Sequence, residues 1–128
     1  MNRLDNKILI GNSFPLALIR RRVTITPIPE KELRDRLAAA EKVVSYWGHL
    51  NTLPAAEAFL GIPLTPSRER PAVSLDEAKF PVLEGERFAE CFILSPDYCQ
   101  NGFRPAIGQE VAPDAIAGWQ CLKIQWEM

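Results

Sequence analysis

The chain's only histidine, His49, stands in a stretch whose residue types suit proton transfer beside an anion. Imidazole is the side chain that titrates nearest to neutrality. The preceding run, Val43-Val44-Ser45-Tyr46-Trp47, is β-branched and aromatic, the composition of a strand. Gly48 breaks that run. Asn51 or Thr52 is placed to cap a following helix, with Pro54 in its first turn and Gly61 just beyond its end. A strand that turns into a helix N-terminus presents unpaired backbone N–H groups, a natural anion site. The plain alternative is a loop histidine that packs or faces solvent.

A second stretch has the same design. Lys7 to Ile10 predicts a strand that stops at Gly11-Asn12-Ser13, with Ser13 as N-cap of a short helix carrying Pro15 in its first turn. If the two strands are parallel neighbours, both turns open on one edge of the sheet, where open α/β sheets bind ligands. Cations stand elsewhere along the chain. Arg20-Arg21-Arg22 follows the short helix, where it suits the helix dipole or simply faces water. Arg68 and Arg70 belong to the proline-punctuated loop 62–71. Arg104, between Phe103 and Pro105, is placed to reach a ligand from a loop predicted over 95–111. Loops longer than about 12–15 residues tend to be functional or mobile.

The elements that must position these residues read as one α/β layer. Arg22 to Thr26 alternates as a strand and is punctuated by Pro27 and Pro29. Pro29 to Ala40 predicts the clearest helix, with acids in the first turn and a Leu33–Leu37 contact. Ala72 to Leu75 predicts a short strand, and 76–84 reads as irregular. Arg87 to Leu94 predicts a strand whose apolar second half places it inside the sheet. A single helical turn over 113–118 then leads to a closing strand, Trp119 to Trp126.

The totals narrow the function classes. A chain of 128 residues with 47% apolar and 24% charged residues predicts a single globular domain over 1–128. A net charge of −1 argues against coating duplex DNA or an anionic membrane. No apolar run approaches the roughly 20 residues that span a bilayer. The first residues are not followed by a secretory apolar stretch, and a cytoplasmic location is expected. Cys91, Cys99 and Cys121 form no CxxC pair, which fits structural thiols in a reducing compartment. With one histidine there is no zinc spacing, so metal-independent chemistry without a cofactor is expected. Tyr46 and Trp47 read as base-stacking groups or as strand packing, and Trp47, Phe103 and Trp126 as partner contacts or core. No basic neighbour supports a reactive Cys99, and Glu57 and Glu90 have no partner evident in the sequence.

Several segments in order resemble the viral ring nucleases, small anti-CRISPR proteins of archaeal viruses and phages with bacterial relatives of unknown function. The family's strand followed by Asn-(small)-Phe is matched by Ile8-Leu9-Ile10-Gly11-Asn12-Ser13-Phe14. Its Gly-His turn with a nearby Thr is matched by Gly48-His49-Leu50-Asn51-Thr52, and its helix end by Gly61. Arg70 (or Arg68) stands where the family has a basic residue before a short strand. The chain departs from the pattern after Leu94: the family carries Ser-Gln-Arg there with acids close behind, and this chain has Ser95-Pro96-Asp97.

The resemblance implies a homodimer whose protomer has a mixed β-sheet of about five or six strands, with helices mainly on one face. Its ligand would be a cyclic oligonucleotide, cyclic tetra-adenylate, held across the dimer interface. The family cuts this messenger without metal: a ribose 2′-OH attacks the adjacent phosphorus and a histidine protonates the departing 5′-oxygen. Carried over, His49 is the general acid, and Arg70 and Arg104 balance charge. Gly11, Asn12, Ser13, Gly48, Asn51 and Thr52 hold phosphate and ribose. The alternatives are a protein that binds a cyclic nucleotide without cutting it, or a structural protein with the same fold.

Overall fold

A computed structural model of the chain describes residues 6–47, 50–66, 72–99, 111 and 113–127. Its main sheet has five strands in the order β2-β8-β7-β1-β3. These are β1 Lys7–Gly11, β2 Val23–Ile28, β3 Lys42–Ser45, β7 Glu90–Tyr98 and β8 Ile116–Trp126. β1 runs parallel to both of its neighbours, β3 and β7, while β8 is antiparallel to β7 and β2. The sheet is therefore mixed, as expected. Three short strands, β4 Ser74–Leu75, β5 Pro81–Leu83 and β6 Glu86–Arg87, form a separate antiparallel sheet.

The period-two pattern of β1 divides the core. Ile8 and Ile10 point to one face, where they meet Leu33 of α1 (Glu30–Ala39) and Ala56 and Leu60 of α2 (Leu53–Leu60). Leu9 points to the other, where it joins Val44, Cys91, Ile124, Leu83 of the small sheet and the flanking Phe80 and Phe88. Both helices thus cover one face. Complete burial of each such aliphatic side chain is worth about 1.5–3 kcal/mol, so this alternation fixes which way the strand faces.

Local chemistry sets the helix ends. α1 begins after Pro29, carries Glu30 and Glu32 in its first turn and Arg36 in its last, and so complements the helix dipole at both ends. Arg36 also donates from Nε to Glu90 Oε1 at 2.9 Å, anchoring α1 to the start of β7 in a largely buried pair. α2 has Pro54 in its first turn and stops at Gly61, whose φ of 73° is left-handed and whose N–H reaches Glu57 O at 2.8 Å.

Several elements differ from the sequence reading. Ser13 does not cap the short turn Leu16–Leu18, which is 3-10 and has Pro15 at its N-cap position without a side-chain cap bond. Pro27 lies inside β2 rather than ending it, opposite Leu122. A proline has no N–H for a doubly hydrogen-bonded pair, so this is a non-hydrogen-bonded pair and the ring faces the open edge. The strand predicted over 87–94 is two elements, β6 and β7, and the loop predicted from Ser95 begins after Tyr98. The helical turn predicted over 113–118 is a 3-10 turn over Pro113–Ala115, and the closing strand starts at Ile116, taking over the second half of that span.

Residues 76–84, read as irregular, hold β5 and the start of a tight hairpin. Glu84 and Gly85, at φ of 52° and 80°, make the two-residue loop between β5 and β6. Asp76 organises the approach by accepting from the N–H groups of Ala78 and Phe80, both at 3.0 Å, and pairing with Arg87. Partial burial works to raise its pKa, but these hydrogen bonds outweigh that and hold it below the usual carboxylate range. Phe80 lies beneath Arg21 at 4.4 Å and Arg87 at 4.8 Å. Glu86 meets Lys42 and Lys7, joining the small sheet to the N-terminal ends of β3 and β1.

Candidate functional site

Because β1 and β3 are adjacent and parallel, with Ile10 opposite Ser45, the chain leaves both at the same edge of the sheet. The Gly11-Asn12-Ser13 segment and the chain at Tyr46-Trp47 therefore leave the sheet side by side. This juxtaposition depended on strand order, and the pairing supplies it. Asn12 is half-buried and Ser13 is exposed.

Gly11 has a reason of its own to be glycine. A Cβ built there would lie 2.8 Å from Tyr46 Cζ and 2.9 Å from Cε2. The Tyr46 ring lies over the end of β1, its N–H bonded to Ile10 O at 3.1 Å and its hydroxyl 3.1 Å from Cys91 Sγ. Burial, with Cys91 adding to it, pushes the Tyr46 phenol far above its usual range. The Cys91 thiol is pushed up to about 12 by burial, against the hydrogen bond from Tyr46, so this pair stays neutral. Tyr46 is thus a packing residue on the side of Gly11.

The end of β3 is tied down densely. Trp47 is 0% exposed and bridges to Pro66, and its N–H donates to Thr65 O at 3.1 Å. The Thr65 N–H donates to Ser45 Oγ at 2.6 Å, and the Leu64 N–H to Glu57 Oε2 at 2.8 Å. Glu57 thereby gains the partner its sequence neighbourhood did not reveal. Trp47 and Trp126 are core residues, the packing alternative of the sequence reading.

Thr52 occupies the N-cap position of α2 but makes no side-chain cap bond, contrary to expectation. Its Oγ1 instead accepts from Trp47 Nε1 at 3.1 Å, and the residue is 3% exposed. It locks the helix start to the strand end across the turn that carries His49. Asn51, half-buried, accepts at its carbonyl from the Val111 N–H at 2.8 Å. No sequence signal pointed to Ser45, Thr65 or Val111 as supports of this turn, because each acts across a long loop.

Gly48, His49, Arg70 and Arg104 lie outside the described residues. Their flanks are placed, however. Trp47 beside Pro66 puts the start of the segment bearing Arg68 and Arg70 next to the start of the His49 turn. The Val111–Asn51 bond ties the far end of the Arg104 segment to the same turn. Asp97 lies on β7, and Gln120 Nε2 donates to its Oδ1 at 3.0 Å. Among the described residues, no cluster of His, Cys, Asp and Glu could hold a metal ion, and no helix is long and apolar enough to cross a membrane.

No family model matches the chain, and no curated protein matches it. Among solved structures the chain is similar to B116 of Sulfolobus turreted icosahedral virus, with a TM-score of 0.51. The match covers 94% of this chain and 99% of that one, at 16% identity. The likeness is one of fold. B116 is a viral protein, so the resemblance to small viral proteins expected from the two turns is met at the level of architecture. It extends over nearly the whole of both chains.

Proposed function

We propose that the protein is a ring nuclease: a metal-independent phosphodiesterase that opens a cyclic oligoadenylate, cyclic tetra-adenylate first, and so silences type III CRISPR signalling. The observation that carries this reading is the parallel pairing of β1 with β3, which starts both polar turns at one sheet edge. The near full-length fold likeness to B116 supports it.

In this reading a ribose 2′-OH of the ligand loses its proton to solvent water as its oxygen attacks the adjacent phosphorus. The P–O5′ bond breaks, His49 gives its proton to the departing 5′-oxygen, and a 2′,3′-cyclic phosphate remains on the other end. Asn12, Ser13, Asn51 and the backbone of both turns hold phosphate and ribose, with Gly48 allowing close approach and Gly11 making room for the Tyr46 ring beside them. Arg70 and Arg104 balance charge in the transition state. Thr52 acts through Trp47 as a positioning residue. The protein works as a homodimer, because a two-fold ligand suits an isologous interface.

The test is incubation of the protein with cyclic tetra-adenylate in EDTA, with products resolved by chromatography. Linear product is expected, and His49→Ala should slow its formation by about 10²–10⁴ while binding persists. An intact ring after prolonged reaction at raised enzyme refutes the nuclease reading. A second reading, sequestration without cleavage, is favoured by Asp97. Its carboxylate, held by Gln120, stands in the Ser95-Pro96-Asp97 segment where the family has Ser-Gln-Arg. Tight binding with no turnover selects it.

A further inference from the structure

On the helical face, at the same sheet edge as the two turns and with Trp119 edge-to-face against Trp47 at 6.3 Å, β8 extends past the end of β2. Cys121 to Trp126 pair with β2, whereas Ile116 to Gln120 pair with β7 alone. Trp119 lies opposite Pro96, which has no N–H, so this is a non-hydrogen-bonded pair and both main-chain groups of Trp119 point away from β7. The register with β2 agrees, since Pro27 opposite Leu122 sets the same alternation. Among the described residues no strand meets the outward N–H and C=O of Trp119. One step on, the pairing shifts register at Asp97/Tyr98, leaving Ala117 without an opposite residue.

This short open edge borders a groove of about 360 Å³ between the first half of α1 and the length of α2, lined by Glu30, Arg34, Ala55, Ala58, Phe59 and Trp119 among others. The Arg34 guanidinium lies 4.7 Å over the Phe59 ring and, among the described residues, makes no ion pair. Trp119 stacks on Phe59 with centroids 5.5 Å apart, so the Phe59 ring is engaged by both the Arg34 cation and the Trp119 indole. What the groove offers is a strand edge, an apolar floor and a guanidinium that makes no ion pair among the described residues, with the Glu30 carboxylate also in the lining.

We propose that this groove is a peptide-binding site. It takes a short extended segment of a partner protein, which pairs its main chain with Trp119 and sets a carboxylate on Arg34. An extended peptide adds to an open strand edge through main-chain bonds, and Arg recognises a carboxylate through a bidentate fork. The apolar floor of Ala55 and Ala58 suits a small or β-branched side chain between those two anchors.

The test is a titration of the full chain with the acetylated tetrapeptide Ala-Thr-Val-Val, followed by ¹⁵N–¹H NMR. Three twins of the peptide accompany it: a C-terminal carboxamide, a carboxamide ending in Glu, and a form N-methylated at the third residue. Saturable binding that shifts the Trp119 amide is expected, at least tenfold weaker for the plain carboxamide and the N-methyl form. Recovery of affinity by the Glu-ending twin assigns the carboxylate to a side chain, and its failure assigns it to a chain terminus. Arg34 is exposed, so Arg34→Gln should fold normally, confirmed by an unchanged spectrum elsewhere, and should erase the preference for carboxylate. No saturation at millimolar peptide, equal affinity for acid and carboxamide, or adenosine monophosphate producing the same shifts in preference to peptide would each overturn the proposal.

Discussion

Replacing Gly11 with alanine tests whether its glycine is demanded by packing or by a ligand. The φ of Gly11 is not positive, since among the described glycines only Gly61 and Gly85 are left-handed, so backbone strain does not enter. Space does. Ordinary carbon–carbon contact lies at about 3.5–4.0 Å, so a methyl 2.8 Å from Tyr46 Cζ must part from the ring by roughly 0.7 Å. The ring cannot swing freely, because its hydroxyl is tied to Cys91 and its backbone to Ile10 at the centre of the sheet. Overpacking at such a site costs about 1–3 kcal/mol. For a chain of this length that lowers the melting midpoint by roughly 3–5 °C for each kcal/mol. Urea unfolding of Gly11→Ala, Tyr46→Ala and the double variant closes a cycle that isolates the clash. The double variant should be more stable than the sum of the single losses predicts, by most of the Gly11→Ala cost. A Gly11→Ala loss below about 0.5 kcal/mol, within the usual range for sites without such a feature, refutes the packing argument. A loss that persists unchanged without the Tyr46 ring refutes it equally.

Four further outcomes follow from other contacts. Arg36→Ala leaves Glu90 buried without its cation and should cost about 3–5 kcal/mol in urea unfolding. Lys31→Ala, which breaks an exposed pair with Asp35, should cost less than about 1 kcal/mol. The depressed pKa of Asp76 means its contribution is present above its unfolded value, about 3.9, and is lost as pH falls through the lower folded value. Urea midpoints measured from pH 5 downward should therefore fall less steeply for Asp76→Asn than for the parent, and identical slopes count against the Arg87 and backbone bonds. Iodoacetamide at pH 8 should label Cys99 alone in the folded protein. Burial pushes Cys91 up to about 12 and Cys121 up to about 11, leaving both thiols protonated and enclosed. A mass spectrum showing two or three additions under native conditions contradicts that burial.

Short-range chemistry made several parts of the fold readable from the residues alone. The end of α2 was legible because a glycine past an apolar run predicts the left-handed cap that Gly61 adopts. α1 was legible because proline and acids mark a helix start, and Leu33 does face the core. The inside position of β7 followed from its apolar run, and the closing strand from its alternation. The residues also nominated the two turns as a site. They did not fix strand order, on which the adjacency of those turns depends, because pairing joins β1 to segments tens of residues away.

Only the tertiary structure decided the rest, for the same reason. Proline at positions 27 and 96 reads locally as a break, yet each sits opposite β8 at a position that needs no N–H. The partners of Thr52, Glu57 and Glu90 are Trp47, Leu64 and Arg36, and the longest of these reaches spans 54 residues. Thr52 shows the limit most clearly. Its sequence position says helix cap, and the cap place is where it sits, but a buried indole N–H nearby offered its hydroxyl a better-enclosed bond. Burying that N–H unpaired would cost about 1–3 kcal/mol, and this demand of the core, from a residue only five positions back, overrode the cap preference.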